Sequence, residues 1–314
     1  MEALRQAIRI WARDHADRDG LAATPVPGLR MMCVDAPAGD LHSVYRPLVC
    51  FVLQGAKRMT VGREAREVRG GHSVIVGADM PVVGRIVEAG PEAPYLAVSV
   101  ELEMSLLREL SAETGGRDPA RAPSVRTLFR SDSEAALLDC AHRLTQLIDR
   151  PEAIPLLRPG LMRELHYWLL SGAHGPALLR LADPDSHAGR LAAAIRLLRS
   201  DYRSRLPVDR LARAAAMSLT AFHKHFKALT SLTPGQYQKR LRLIEARRLM
   251  LEEGLSASAA AFAVGYESIS HFTRDYGRLF GAPPRRDTAR MRRGPTSAGA
   301  HSHSIVPGGL EVTS

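Results

Sequence analysis

The sequence predicts an α+β protein: an N-terminal β-barrel with flanking helices, then an all-α domain built around two helix-turn-helix units. Three observations predict it. Between Pro25 and Leu102, short β-branched runs alternate with glycine-rich turns. Between Ser218 and Pro284, one pattern of side chains occurs twice, fifty residues apart. Net basic charge gathers on the second of these regions and not on the first.

Residues 1 to about 20 place Leu4, Ile8 and Trp11 on one face of a short amphipathic helix. Its mixed charge, from Glu2, Arg5, Arg9 and Asp14, leaves no apolar signal-peptide region. No apolar run approaches the ~20 residues that span a bilayer, so a cytoplasmic protein is expected. The three cysteines, Cys33, Cys50 and Cys140, are odd in number and widely spaced. That points to a reducing compartment and away from a disulfide framework or zinc site.

Strands are expected at residues 49–53, 59–61, 73–76, 82–87 and 95–100. Gly62, Gly70-Gly71, Gly77 and Gly90-Pro91 punctuate them. Short strands separated by turns build a small antiparallel barrel or sandwich. Helical periodicity returns at 131–148, with Ala135, Leu138, Leu144 and Leu147, and at 156–170, with Leu161, Leu165, Trp168 and Leu169. Such faces either cover the strands or meet a partner. Gly175-Pro176 and Asp183-Pro184 mark a linker. The length of 314 residues suits two domains. They are expected at 1–172 and 187–286, joined by a linker at 173–186 and followed by a disordered, Gly-, Ser- and His-rich tail at 287–314.

The second domain opens with a helix over 187–202, whose Leu191, Ile195 and Leu198 face its core. Then comes the repeat. The first copy reads Ser218, Phe222, Lys224, Phe226, Leu229, Pro234; the second reads Ser268, Phe272, Arg274, Tyr276, Leu279, Pro284. Each serine suits an N-cap, where its hydroxyl accepts a free backbone N–H. The apolar residues at i, i+4 and i+7 form one helical stripe, and the prolines stop the helices. Each copy follows a shorter helix, at 208–215 and 256–264, with Met217 or Gly265-Tyr266 in the turn. This is the second helix of a helix-turn-helix, written twice. Between them, residues 233–252 form an arginine-rich helix with Leu241, Ile244, Leu249 and Leu251 on its apolar side. A rigid helix of this kind fixes two heads for successive major grooves, about 34 Å apart.

Of the net charge of +10, residues 187–286 hold 18 basic against 7 acidic side chains. The N-terminal 186 residues hold 22 against 24. A basic face beside repeated helices attracts phosphate and releases counterions. Genome-wide arginine bias does not account for the asymmetry, because the N-terminal part has more basic side chains and balances them with acids.

From these residues the chain resembles the AraC/XylS transcription regulators. The resemblance rests on Leu211-Ala212, Met217-Ser218, Phe222-x-Lys224-x-Phe226-Lys227, Thr233-Pro234-x-x-Tyr237 and Arg242-Leu243-x-x-Ala246. It continues through Val264-Gly265-Tyr266-x-Ser268-x-Ser270-x-Phe272-x-Arg274-x-Tyr276 and Phe280-Gly281-x-Pro283. Three positions depart from the family pattern: Ser231 for glycine, Ala260 for isoleucine and Gly277 for lysine. The N-terminal part resembles the cupin-like domain of one subgroup, through Val52-Leu53-Gln54-Gly55-x-Lys57, Gly70-Gly71, Asp79-x-Pro81-Val82 and Pro94-Tyr95. The resemblance implies a regulator that binds double-stranded DNA. It also implies a small-molecule effector or an interaction role for the barrel, a homodimer contact through the helices after it, and RNA polymerase as a further partner.

The outward positions opposite the apolar stripes are the base-reading candidates: Thr220, His223 and Lys224, then Ile269, Ser270, His271 and Arg274. An arginine can pair with guanine O6 and N7, and an isoleucine can meet a thymine methyl. Lys227, Arg240, Arg278 and Arg285 are assigned to phosphates. In the barrel, Tyr45 and Gln54 are the candidate effector contacts, and alternation alone leaves open which face of each strand points inward. No metal or cofactor is expected. His42 and His72 are isolated, and His301 and His303 lie in the low-complexity tail. No Ser-His-Asp set, carboxylate pair or phosphate loop marks an enzyme, so no catalytic residue is assigned. A cupin-type enzyme and a DNA-binding dimer without a sensing function are the alternatives to an effector-responsive regulator.

Overall fold

The computed structural model describes residues 1–62, 64–113 and 128–292. Helix α1 (Glu2–His15) buries Leu4, Ile8 and Ala12, the predicted face. Nine strands follow: β1 (Leu21–Ala23), β2 (Leu29–Val34), β3 (Leu41–Tyr45), β4 (Leu48–Gln54), β5 (Ala56–Val61), β6 (Glu64–Arg69), β7 (His72–Val76), β8 (Met80–Glu88) and β9 (Tyr95–Glu101). After α2 (Met104–Glu113) comes β10 (Leu128–Asp132). The strands form a six-stranded sheet, β1-β2-β9-β4-β7-β10, facing a four-stranded one, β3-β8-β5-β6. The two sheets do not close into one ring, which corrects the barrel to an open two-layer sandwich.

The inner strands β4, β7 and β9 of the six-stranded sheet are buried on both faces, which is why they read as nearly continuous apolar runs. On β4, Val49, Phe51 and Leu53 turn out toward the helices, while Val52 turns in toward the other sheet. On β9, Leu96, Val98 and Val100 turn out, and Tyr95 and Ala97 turn in. Strands β1, β2, β3, β6 and β10 were invisible to a search for β-branched runs. β6 is an edge strand, Glu-Ala-Arg-Glu-Val-Arg, with Val68 alone fully buried, and edge strands tolerate charge.

The corner between the sheets explains the N-terminal motif. Gly55 has φ 73°, and a Cβ there would strike the Glu88 carbonyl, so the chain can turn from β4 into β5 only with glycine. Gly70 N–H donates to Gly55 O at 2.9 Å, and Gly71 N–H to Val52 O at 2.9 Å. The Gln54 amide donates to Pro94 O at 2.9 Å.

Helices α3 (Ala135–Gln146) and α4 (Ile154–Ser171) cover the outer face of the larger sheet, with Cys140, Leu144, Leu165 and Leu169 buried. The predicted linker is not one. Residues Gly175–Ala182 form α5, with Leu178, Leu179 and Leu181 buried. Gly175-Pro176 reads as a breaker, but proline in a first helical turn starts a helix rather than ending one. The C-terminal domain contains α6 (His187–Ser200), α7 (Val208–Ala214), α8 (Leu219–Thr230), α9 (Pro234–Glu252), α10 (Ala257–Ala263), α11 (Ile269–Phe280) and α12 (Pro284–Arg292). The last helix corrects the predicted start of the tail for the same reason, since Pro284 both ends α11 and begins α12. The rest of that tail lies outside the described residues.

One apolar cluster runs from Leu4 on α1 through α4, α5 and α6 to Phe222, Phe226 and Leu241. A second fills the sandwich, and a third, from Leu243 to Phe280, belongs to the last helix-turn-helix.

Candidate nucleic-acid interface

Both recognition helices are built as the repeat predicts. Ser218 Oγ accepts the Ala221 N–H at 3.3 Å, and Ser268 Oγ accepts the His271 N–H at 3.4 Å. Phe222 and Phe226, and in the second unit Phe272 and Tyr276, are fully buried. Thr220, His223, Lys224, Ile269, Ser270, His271 and Arg274 are therefore all held outward and exposed. Sequence reasoning missed one member of this surface. Leu219 and Ile269, fifty residues apart, are each 44% exposed at the first turn of their helices. Extending the repeat by one position would have found Leu219. Both apolar tips face solvent at the first turn of their helices, as candidates for an apolar contact such as a thymine methyl.

Arg274 makes no ion pair among the described residues; its neighbour Asp275 is instead bound by Lys239 at 2.9 Å. Lys227, Arg278 and Arg285 are exposed beside the recognition helices. Arg240 does not stand with them: it is half-buried, close enough to His42 of β3 to act on its imidazole. The other arginines of α9 also have internal tasks. Arg242 donates to the carbonyls of Tyr202 at 2.7 Å, Gly265 at 2.9 Å, and Arg203 and Ser204 at 3.0 Å. It thus ties α9 both to the α6–α7 loop and to the turn of the second unit. Arg247 meets the buried Asp287 at 2.9 Å, and Arg248 meets Glu245 at 2.8 Å and Glu252 at 3.1 Å. Arg242 and Arg247 thus hold α9 against the second head, while Arg248 pairs only along α9 and its C-cap.

The heads are also docked on the sandwich. Asp79, in the turn before β8, forms an ion pair with Arg199 of α6. Its carbonyl accepts the Tyr237 hydroxyl of α9 at 3.0 Å. His42 meets the Phe280 ring edge-on at 4.8 Å. Burial, and then the Arg247 cation, lowers the His42 imidazole to about 4, so it is neutral at physiological pH. The Ser231 side chain rests against Gly62 in the β5–β6 turn.

Inside the sandwich, the Tyr45 hydroxyl accepts a hydrogen bond from the Lys57 ammonium at 3.1 Å. Gln54 is committed to its corner instead. Burial raises the Cys50 thiol to about 11 and raises Cys33 as well, so both stay protonated near neutral pH. Among the described residues no group of three His, Cys, Asp or Glu is arranged to hold a metal ion. None of the described helices is long and apolar enough to cross a membrane.

Fold and surface together define a two-headed helix-turn-helix protein carrying a β-sandwich domain. The family model for the AraC-type transcriptional regulator N-terminus matches residues 25–177, and a helix-turn-helix domain model matches residues 211–290. The chain belongs to the AraC family of transcriptional regulators. It is 32% identical over 146 residues to the HTH-type transcriptional activator RhaS of Escherichia fergusonii, covering 46% of this chain and 52% of that protein. RhaS of Escherichia coli strain SE11 is 31% identical over 101 residues, covering 32% of this chain and 36% of the relative. The chain thus spans about half, or less, of the curated relatives it matches. Two structures of ToxT from Vibrio cholerae share the fold at 9% identity. One, from O395, is bound to (E)-4-(8-methylnaphthalen-1-yl)but-3-enoic acid; it has a TM-score of 0.56 and covers 84% of this chain and 98% of its own. The other, from strain SCE256, is bound to an unsaturated fatty acid; it has a TM-score of 0.57 and covers 83% and 93%.

Proposed function

We propose that this protein is a sequence-specific DNA-binding transcription regulator whose sandwich domain responds to a small molecule. The observation that carries the reading is the pair of N-capped helices, fifty residues apart, that present seven exposed polar, charged or apolar tips from a basic domain. Each head reads one half-site, Thr220, His223 and Lys224 in one and Ile269, Ser270, His271 and Arg274 in the other. Lys227, Arg278 and Arg285 set register on phosphates. The RhaS relatives are named activators, which favours activation through RNA polymerase in the cytoplasm. The named ToxT ligands favour a small-molecule effector over catalysis.

Selection of bound sequences from random DNA tests the reading. Two half-sites on one face of the duplex are expected, and purified protein that shows no sequence preference overturns it. A homodimer is part of the proposal. Leu156, Leu157 and Tyr167 of α4 are exposed by 79%, 55% and 42%, a large apolar surface for one helix. Sedimentation of the full chain at tens of micromolar checks this, and a strict monomer removes the dimer from the reading.

A further inference from the structure

The two recognition helices correspond slot for slot. Helices α8 and α11 are each 12 residues long. Each is capped by a serine that accepts the N–H three residues on, and each ends on a left-handed residue, Ser231 or Gly281. The buried positions correspond as well: Phe222 with Phe272, Phe226 with Tyr276, and Thr230 with Phe280. Helices with the same ends and the same buried stripe hold their outward positions at the same angles. The tips of the two heads therefore correspond one to one.

Three pairs match in chemistry. Leu219 and Ile269 are aliphatic and equally exposed. Thr220 and Ser270 each carry a hydroxyl, and Lys224 and Arg274 each carry a cation, all exposed. Neither cation enters an ion pair among the described residues. Two pairs do not match. The half-buried Ala221 corresponds to the exposed His271, and the exposed His223 corresponds to the half-buried Thr273.

Each chemistry suits a different base. A thymine methyl takes an aliphatic tip, guanine O6 and N7 take a cation, and a purine N7 takes an imidazole N–H. The aliphatic tip and the cation are five residues apart in both heads. That spacing is about 7.5 Å along a helix, or about two base steps. We propose that the two half-sites of the operator share a thymine and a guanine at one common separation, and that His223 and His271 make them differ. Leu219 and Lys224 read the shared bases in the first half-site, and Ile269 and Arg274 read them in the second. The inference rests on the DNA-binding reading above and names the specificity of its two heads. Identical half-sites would let either head occupy either one. The histidines, placed at different slots, assign each head its own.

The test is selection of bound sequences from random DNA with the full chain and its variants. The wild type should select two half-sites that each hold a thymine and a guanine at equal separation. Changing either guanine should weaken binding about 5- to 150-fold. Ala221→His combined with His223→Thr gives the first head the tips of the second, so its two half-sites should also agree at the histidine-read base. If that variant fails to fold, His271→Ala combined with Thr273→His makes the exchange from the other side. It should bring the half-sites into agreement on the first head's base. Lys224→Arg should keep the guanine, and Lys224→Ala should lose it in the first half-site alone. A packing role would instead lower affinity without changing the selected base, and that result overturns the inference. So do half-sites with no common thymine and guanine, or exchanged tips that leave the selected half-sites as in the wild type. In each of these cases the regulator reading stands. No preference for any sequence overturns both.

Discussion

The two heads look like copies, but they are held by different physics. In the first, Phe226 packs edge-on against Tyr237 at 5.6 Å, and the Tyr237 hydroxyl reaches out to Asp79 of the sandwich. At the same two slots of the second, fifty residues on, stand Tyr276 and Asp287. Here the carboxylate is turned inward and fully buried, accepting from Tyr276 at 2.8 Å and from Arg247 at 2.9 Å. The first head shares a continuous apolar core with the sandwich; the second has a core of its own. The repeat keeps the serine cap and the apolar stripe and lets the anchorage diverge. On the effector-responsive reading proposed above, a signal from the sandwich reaches the first head and α9 through Asp79, and the second head through the His42–Phe280 contact.

The largest effect should come from breaking the second anchor. Asp287→Ala leaves Arg247 buried without its counter-ion, which costs about 3–5 kcal/mol. Chemical denaturation should show the last helix-turn-helix unfolding early, with binding lost at one half-site only. A loss of less than about 1 kcal/mol would mean that the apolar core of the second head suffices.

The docked state should also depend on pH through His42. Its pKa in the docked protein is depressed to about 4 from an ordinary 6.5. The undocked form thus binds the extra proton first, and stability present above pH 6.5 is lost as pH falls toward 4. The shift corresponds to a loss on the order of 2–3 kcal/mol. Melting curves across that range should flatten in His42→Leu, and an unaltered slope would remove His42 from the interface.

Arg274→Ala should cost about 1–3 kcal/mol of binding and relax preference at one base pair. Uniform weakening on every sequence would assign Arg274 to phosphate. Tyr237→Phe, the counterpart of the first test in the other head, should cost only about 1 kcal/mol, read as melting temperature. A cost as large as that of Asp287→Ala would erase the difference between the anchors. The smallest effect concerns the helix ends. Ser231 has φ 58° at the position where the second copy has Gly281 at φ 74°. Left-handed backbone strains a side chain, so Ser231→Gly should stabilise by roughly 0.5 kcal/mol after the greater entropy of unfolded glycine is subtracted. Destabilisation would show that the Ser231 contact with Gly62 outweighs the strain.

The helical half was legible because its signals are local. Serine caps, an i, i+4, i+7 stripe and prolines depend on neighbours within two turns, and repetition doubled them. They located α8, α9 and α11 to within a residue or two and put all seven base-reading candidates on the surface. The sandwich was legible where a strand carries a run of apolar or β-branched residues, as in β4, β7, β8, β9 and part of β5. Edge strands such as β6 carry charge and lose that signal. Arg242 and Arg247 show what composition could not reveal. An arginine's range exceeds a helical turn, so whether it meets phosphate, a carbonyl or a carboxylate depends on which distant loop packs beside it. The same holds for Lys57. The sequence by itself determined that there are two heads and which side chains they expose. Only the tertiary structure decided that a lysine of one sheet is buried toward the other, donating to Tyr45 with no ion pair among the described residues, because burial and pairing belong to residues brought together across the fold.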